Sequence, residues 1–114
     1  MQRISVVMIT LNEEANLIRA LESVAWCDEI VILDSGSTDG TMEIASGFSN
    51  CRVFLHEFDG YGAQKRRAVD AAANDWVFSL DADEQLDGEL QDALRRWSDS
   101  EVSDDAGYEV GRQL

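Results

Sequence analysis

Asp81 and Asp83 stand one residue apart, directly after the apolar run Trp76-Val77-Phe78-Ser79-Leu80. At a strand end, two such carboxylates can turn toward one pocket, where hard oxygen ligands suit Mg or Mn and the ion can bridge diphosphate oxygens. The competing assignment is a capped turn ahead of a helix, in a chain rich in acids. Lys65, Arg66 and Arg67 are consecutive and follow Gly60-Tyr61-Gly62, so they read as the start of a helix whose amides and at least one cation can face a phosphate. A solvated basic face is the alternative. Adjacent helical residues diverge by about 100°, so the three cannot share one target, and Arg67 is assigned to solvent. The glycines lack the Gly-Lys-Ser/Thr ending of a nucleotide-triphosphate loop. Two more polar clusters, Thr10-Leu11-Asn12 and Asp34-Ser35-Gly36-Ser37, each follow an apolar run.

Those runs define the elements that must carry the clusters. Ile4 to Ile9 and Ile30 to Leu33 are apolar on successive residues, as suits strands covered on both faces, and Arg52 to Leu55 and Trp76 to Leu80 complete a set of four. Between them lie helical stretches: one capped by Asn12, with Ala15, Ile18, Leu21 and Val24 as its apolar positions, one beginning at Met42, and one over residues 63–73. Asp87 is placed to cap a fourth, with Leu90, Ala93, Leu94 and Trp97 on one side. Alternation of this kind predicts an α/β fold: a doubly wound, mostly parallel sheet with helices on both faces. Ligands of such sheets bind beyond the carboxyl ends of the strands, where all four polar clusters fall. Residues 1–97 form the expected α/β domain. Residues 98–114 read as an acidic loop over Ser98 to Asp105 and the start of another strand at Gly107-Tyr108-Glu109-Val110, in a fold that stops incomplete.

Composition narrows the partners. With 114 residues, 23 acidic against 9 basic side chains and a net charge of -14, the chain is one domain at most and is no candidate for nucleic acid, which rewards clustered Lys and Arg. Cys27 and Cys51 show neither CxxC nor metal-ligand spacing and read as small buried apolar residues in a reducing cytoplasm. The N-terminal apolar stretch is too short for a signal peptide or a membrane span. His56, the single histidine, has no nucleophile near it in sequence and reads as a surface or strand-end residue; Trp26, Trp76 and Trp97 read as core.

The ordered set Ile-Ser-Val-Val-Met-Ile-Thr-Leu-Asn-Glu-Glu, Ile-Leu-Asp-Ser-Gly-Ser-Thr-Asp-Gly-Thr and Asp-Trp-Val-Phe-Ser-Leu-Asp-Ala-Asp-Glu, within residues 4 to 86, resembles the inverting family 2 glycosyltransferases. Within them it is most similar to the bacterial lipopolysaccharide core β-1,4-glucosyltransferase branch. The resemblance implies a GT-A, Rossmann-like fold whose first four strands bind a nucleotide-sugar, usually a UDP-sugar, with Mn or Mg as cofactor. Carried onto this chain, it implies that Thr10 and Asn12 line the nucleoside, Asp34 recognises the base, and Lys65 reaches the base or the diphosphate. Asp81 would lie near the ribose and the metal, and Asp83 would ligate the metal directly. Ser35 stands where many relatives carry a second Asp, so that either Asp34 or Ser35 touches the uracil; Arg66 stands where relatives often have Asn. The implied partners are a nucleotide-sugar donor and a saccharide or lipid-linked acceptor, the latter bringing the full-length protein to the inner face of the membrane. The family's general base is a carboxylate beyond the second half of the sheet, and no residue of this chain is assigned to that role.

Three other readings share some of these features. A nucleotidyltransferase would need a Gly-rich, basic signature after strand one, where Thr10-Leu11-Asn12-Glu13 stands; a haloacid-type phosphatase would need Thr or Val where Gln85 stands. A diphosphate-binding module without turnover would bind UDP yet transfer nothing. A chain ending at Leu114 would leave the sheet edge beside strand four uncovered, which predicts a homodimer through that edge.

Overall fold

The computed structural model describes residues 3–83 and 88–99. Strand β1 spans Ile4–Thr10, helix α1 Glu14–Val24, β2 Glu29–Asp34, α2 Thr41–Ser46, β3 Cys51–Leu55, α3 Tyr61–Ala71, β4 Trp76–Ser79 and α4 Gly88–Asp99. The four strands form one all-parallel sheet in the order β3-β2-β1-β4. The path steps outward from β1 to β3 and then returns to the far side of β1. Right-handed crossovers consequently put α1 and α2 on one face, where they touch, and α3 on the other, against β1 and β2. This is the doubly wound α/β arrangement that the alternating runs predict.

With helices on both faces, neither side of the central strands meets water. Ile4, Val6, Val7 and Met8 of β1 and Ile30, Val31, Ile32 and Leu33 of β2 are all buried, which is why those segments carry apolar residues without alternation. Trp76, at the start of β4, packs edge-on against Trp97 of α4 with ring centroids 4.6 Å apart. Trp26 lies half-buried under the guanidinium of Arg95. A free thiol at Cys27 is buried in this core; Cys51, on the edge strand β3, is only partly buried, contrary to the expectation for it.

Helix α1 departs from the expected apolar face. Its buried residues are Leu17, Ala20, Leu21 and Val24, while Ala15 is exposed and Ile18 is 50% exposed. A three-residue repeat falls about 60° short of a full turn at each step, so the series 15, 18, 21, 24 winds across the helix surface instead of holding one face. In α4, Leu94 and Trp97 pack on the core but Leu90 and Ala93 are exposed. The cap expected at Asp87 and the strand expected at Gly107 to Val110 lie outside the described residues, and α4 continues as helix through Ser98 and Asp99, where a loop was expected.

Candidate functional site at the strand tips

Parallel pairing sets the heights of the strand ends. Thr10 pairs with Asp34 and Asp34 with Leu55, so β1, β2 and β3 end level. The last pair of β4 is Ser79 with Val7, and the Leu80 amide still donates to the Val7 carbonyl. The segment through Asp81, Ala82 and Asp83 therefore runs on to the level of Thr10. All four polar clusters reach the carboxyl edge, on both sides of the place where strand order reverses.

Asp34 is the centre of the β2 tip. Its carboxylate is 0% exposed and accepts four hydrogen bonds: Oδ1 from the hydroxyls of Thr10 and Ser37, both at 2.6 Å, and Oδ2 from the amides of Gly36 at 2.9 Å and Ser37 at 2.7 Å. Burial pushes its pKa up, but the donated bonds from Ser37, Thr10 and Gly36 outweigh it and hold the group below the usual aspartate value. Four donors fill the roughly four lone-pair positions of a carboxylate. Asp34 thus clamps its own loop, with Thr10, Gly36 and Ser37 as its donors.

Asn12 differs from its expected part as a helix cap. It adopts φ +53°, a left-handed conformation that Asn tolerates, and its Oδ1 accepts the Thr38 amide at 2.8 Å while its own amide donates to Ser37 Oγ at 2.8 Å. It does not cap α1. The amides of Glu13 and Glu14 are satisfied instead by Thr41 Oγ1 at 2.9 Å and Asp39 Oδ2 at 3.2 Å, and Asp39 in turn accepts the Thr41 amide and hydroxyl. The β1 and β2 loops are therefore stitched together by Ser37, Thr38, Asp39 and Thr41, of which none was singled out as a site residue. Their types, short oxygen-bearing side chains packed into one turn-rich run, are the available signal.

On the other face, α3 begins at Tyr61, two residues earlier than expected. Gly60 supplies the break with φ +124° and ψ 143°, a conformation reserved for glycine, and Gly62 lies inside the helix. The three cations consequently sit in the second turn, past the first amides. Gln64 is fully buried; its Nε2 donates to Ser35 Oγ at 3.0 Å and to the His56 carbonyl at 3.1 Å, and its Oε1 accepts from Arg67 at 2.9 Å. Arg67, expected in solvent, is fixed by a bidentate pair with Asp59 at 2.5 Å; Arg66 is the exposed one. Lys65 Nζ lies 5.4 Å from the centroid of the Tyr61 ring, and the Tyr61 hydroxyl donates to Asp81 Oδ1 at 2.8 Å. Lys65 and Asp81 are thereby brought to the same corner, whereas Arg66 points outward, about 200° round the helix from Gln64.

Asp83 stands on the β1 side of that corner. Glu13 has its pKa raised first by burial and then by the nearby carboxylates of Asp83 and Asp39, which sets the β4 tip beside the β1 and β2 loops. Asp81 and Asp83 are both exposed. Among the described residues no three His, Cys, Asp or Glu side chains gather as an all-protein metal cage. The donor set at the β4 tip is two hard carboxylates, which fits a cation that keeps waters or substrate oxygens in its remaining positions. His56 is exposed just after β3, with Nδ1 2.7 Å from the Glu57 carbonyl oxygen, as expected of a strand-end residue.

The sequence profile described as glycosyl transferase family 2 matches residues 5–108. The chain belongs to glycosyltransferase family 2. This family 2 chain is 41% identical over 95 residues to the lipopolysaccharide core biosynthesis glycosyltransferase LpsC of Rhizobium meliloti, covering 80% of the chain and 35% of that protein. It is 43% identical over 95 residues to an uncharacterised glycosyltransferase of Rickettsia typhi, covering 82% of the chain and 32% of the relative. The chain thus spans about a third of the length of these relatives. Among solved structures, S. aureus TarS 1-349 in complex with UDP superposes with a TM-score of 0.70 at 28% identity, over 82% of this chain and 31% of TarS. Glucosyl-3-phosphoglycerate synthase from Mycobacterium tuberculosis, in complex with Mn2+, UDP and glucosyl-3-phosphoglycerate, gives 0.63 at 31% identity, over 74% of this chain and 36% of that one. The family 2 fold is accordingly the architecture in which the four strand tips meet. Among its described residues, no helix is long and apolar enough to cross a membrane.

Proposed function

We propose that the chain is the donor-binding part of an enzyme that transfers a sugar from a UDP-sugar to a saccharide or lipid-linked hydroxyl, in the assembly of a lipopolysaccharide core. One observation carries the reading: Thr10, Asp34, Ser35, Lys65 and Asp81 meet at one edge through the Thr10–Asp34, Ser35–Gln64 and Tyr61–Asp81 hydrogen bonds and the Lys65–Tyr61 contact, with Asp83 beside Glu13. The UDP in the TarS complex and the Mn2+ and UDP in the synthase complex support the nucleotide and the metal; the relative LpsC supports the pathway class.

In this reading Asp83, with Asp81, holds Mn or Mg, and Thr10 and Asn12 border the nucleoside. Lys65 faces the diphosphate, whereas Arg66, expected there too, lies on the outer face of α3. A divalent cation at the β4 tip would offset charge on the departing diphosphate. The acceptor, the general base and any β-1,4 linkage belong to the enzyme as a whole, acting from the cytoplasmic side of the membrane. The outer edge of β4, unpaired among the described residues, is the place for a homodimer contact. Light scattering of the eluting chain tests that last point: a dimer is expected, and a monomer at high concentration removes it.

Titration calorimetry with UDP tests the central reading. Binding should tighten about tenfold or more on adding Mn, and Asp83→Asn should lose that gain while keeping its metal-free affinity, as befits one hard ligand removed from a cation site. Equal affinity with and without Mn in the unaltered chain would overturn it.

A further inference from the structure

Lys65 and Asp81 carry opposite charges at one corner of the site, yet they do not form an ion pair. The two ion pairs among the described residues are Arg52 with Glu29 and Arg67 with Asp59. The side chain of Tyr61 stands between Lys65 and Asp81. Its hydroxyl donates to Asp81 Oδ1 at 2.8 Å, and the ammonium of Lys65 lies over its ring, 5.4 Å from the centroid. The backbone fixes the ring in that place. Gly60, at φ +124°, starts α3 at Tyr61, and Lys65 follows four residues on, along the same face of the helix. Gln64 ties this turn to Ser35 and the His56 carbonyl, and Arg67 ties the next one to both oxygens of Asp59. The ring is 53% exposed, so its contribution to the core is small.

We propose that Tyr61 is a positioning residue that keeps Lys65 and Asp81 apart, so that Asp81 keeps its charge for a divalent cation and Lys65 keeps its own for a diphosphate. The inference rests on the donor-binding reading and concerns how that site stops its two opposite charges from cancelling each other. A lysine seated directly on Asp81 would neutralise the carboxylate, and a hard cation would have to displace it before binding. The same pair would hold the ammonium back from an anionic ligand. A phenol avoids both effects. Its hydroxyl hydrogen-bonds the carboxylate without bringing a charge, and its ring face attracts the ammonium without neutralising it.

The test is calorimetric titration of the 114-residue chain with UDP, with and without Mn, in Tyr61→Phe, Tyr61→Leu and the double variant Tyr61→Leu with Lys65→Met. The parent should gain about tenfold or more from Mn. Tyr61→Phe keeps a ring between the charges and should hold that gain to within about threefold of the parent's. Tyr61→Leu lets Lys65 close on Asp81, and should cut the gain to about threefold or less while also weakening metal-free binding. Removing the lysine in the double variant should bring the Mn gain back to about tenfold, although metal-free binding stays weak because the lysine is gone. A merely structural tyrosine predicts no such recovery, since Tyr61→Leu and the double variant would then lose the gain alike. That result, an undiminished gain in Tyr61→Leu, or a loss in Tyr61→Phe as large as in Tyr61→Leu, overturns the inference while leaving the donor reading intact. A parent that gains nothing from Mn overturns both. Should Tyr61→Leu fail to fold, Tyr61→Gln, which can hydrogen-bond Asp81 but has no ring, takes its place with the same expected loss and the same recovery on adding Lys65→Met.

Discussion

Replacing Asp34 by Asn isolates what the clamp at the β2 tip contributes to stability, because the side chain keeps its size and loses only charge and one acceptor. In the native chain four donors converge on the carboxylate. An Asn oxygen can retain the two amides, Gly36 and Ser37, and the Thr10 and Ser37 hydroxyls can rotate to accept from the new NH2 group. All four bonds survive in some form, but none is then assisted by a full charge. A bond to a charged group is worth about 1.5–3 kcal/mol against about 0.5–1.5 for a neutral one, and the carboxylate's own desolvation is relieved. The net loss comes to about 2–3 kcal/mol at neutral pH. Urea denaturation followed by tryptophan fluorescence, without nucleotide, measures it. The pH dependence carries a second signature. Asp34 has a folded pKa below its unfolded value of about 3.9, so its stabilisation is complete above that value and is lost as pH falls through the folded one. The gap between parent and variant should therefore close below about pH 4. A variant within about 0.5 kcal/mol of the parent at pH 7, or a gap that does not narrow in acid, would refute the clamp.

Three further outcomes follow from the backbone, the packing and the thiols. Gly60→Ala should cost about 1–3 kcal/mol because of φ +124°, whereas Gly62→Ala, inside α3 with open space around its Cβ, should stabilise by about 0.5–1 kcal/mol; thermal melts with the order reversed would place the helix start elsewhere. Leu17→Ala should cost about 2–5 kcal/mol and Ile18→Ala under about 0.5, and similar losses at both in urea titrations would contradict the buried face of α1. Burial pushes the thiols of Cys27 and Cys51 up to about 12 and about 11, so the folded chain should resist Ellman's reagent at pH 8 and titrate two thiols in urea; rapid native reaction of either would count against the packing.

The central strands were legible because a strand buried on both faces leaves a clear mark in sequence, a run such as Ile30-Val31-Ile32-Leu33 with no polar alternation, whereas β3, partly exposed at the sheet edge, and the short β4 were legible from apolar segments set between helical stretches. The convergence of the polar clusters followed from topology too, since each cluster sits directly after a run. Partner choice within the site was not legible. Whether Asp34 faces outward or is saturated depends on where Thr10 and Ser37 point, and those are tertiary facts. Asn12 looked like a cap because Asn before two acids is a good local cap; a left-handed backbone and a competing amide at Thr38 won. Gln64 was overlooked as a polar residue in a basic stretch, although its four-residue spacing from the buried Ala68 marks it as inward-facing. The face of α1 was misjudged because a three-residue apolar series and the true stripe share Leu21 and Val24.

The first amides of α1 are satisfied by Thr41 and Asp39, more than twenty residues further along the chain, and that has a kinetic side. A helix that carries its own cap can fray and reform alone; this one borrows its cap from the far side of a strand crossover. Protection of the Glu13 and Glu14 amides against deuterium therefore reports on the docking of the β2 loop, and any nucleotide that shifts this loop would be felt as exchange at the start of α1, on the face of the sheet opposite α3.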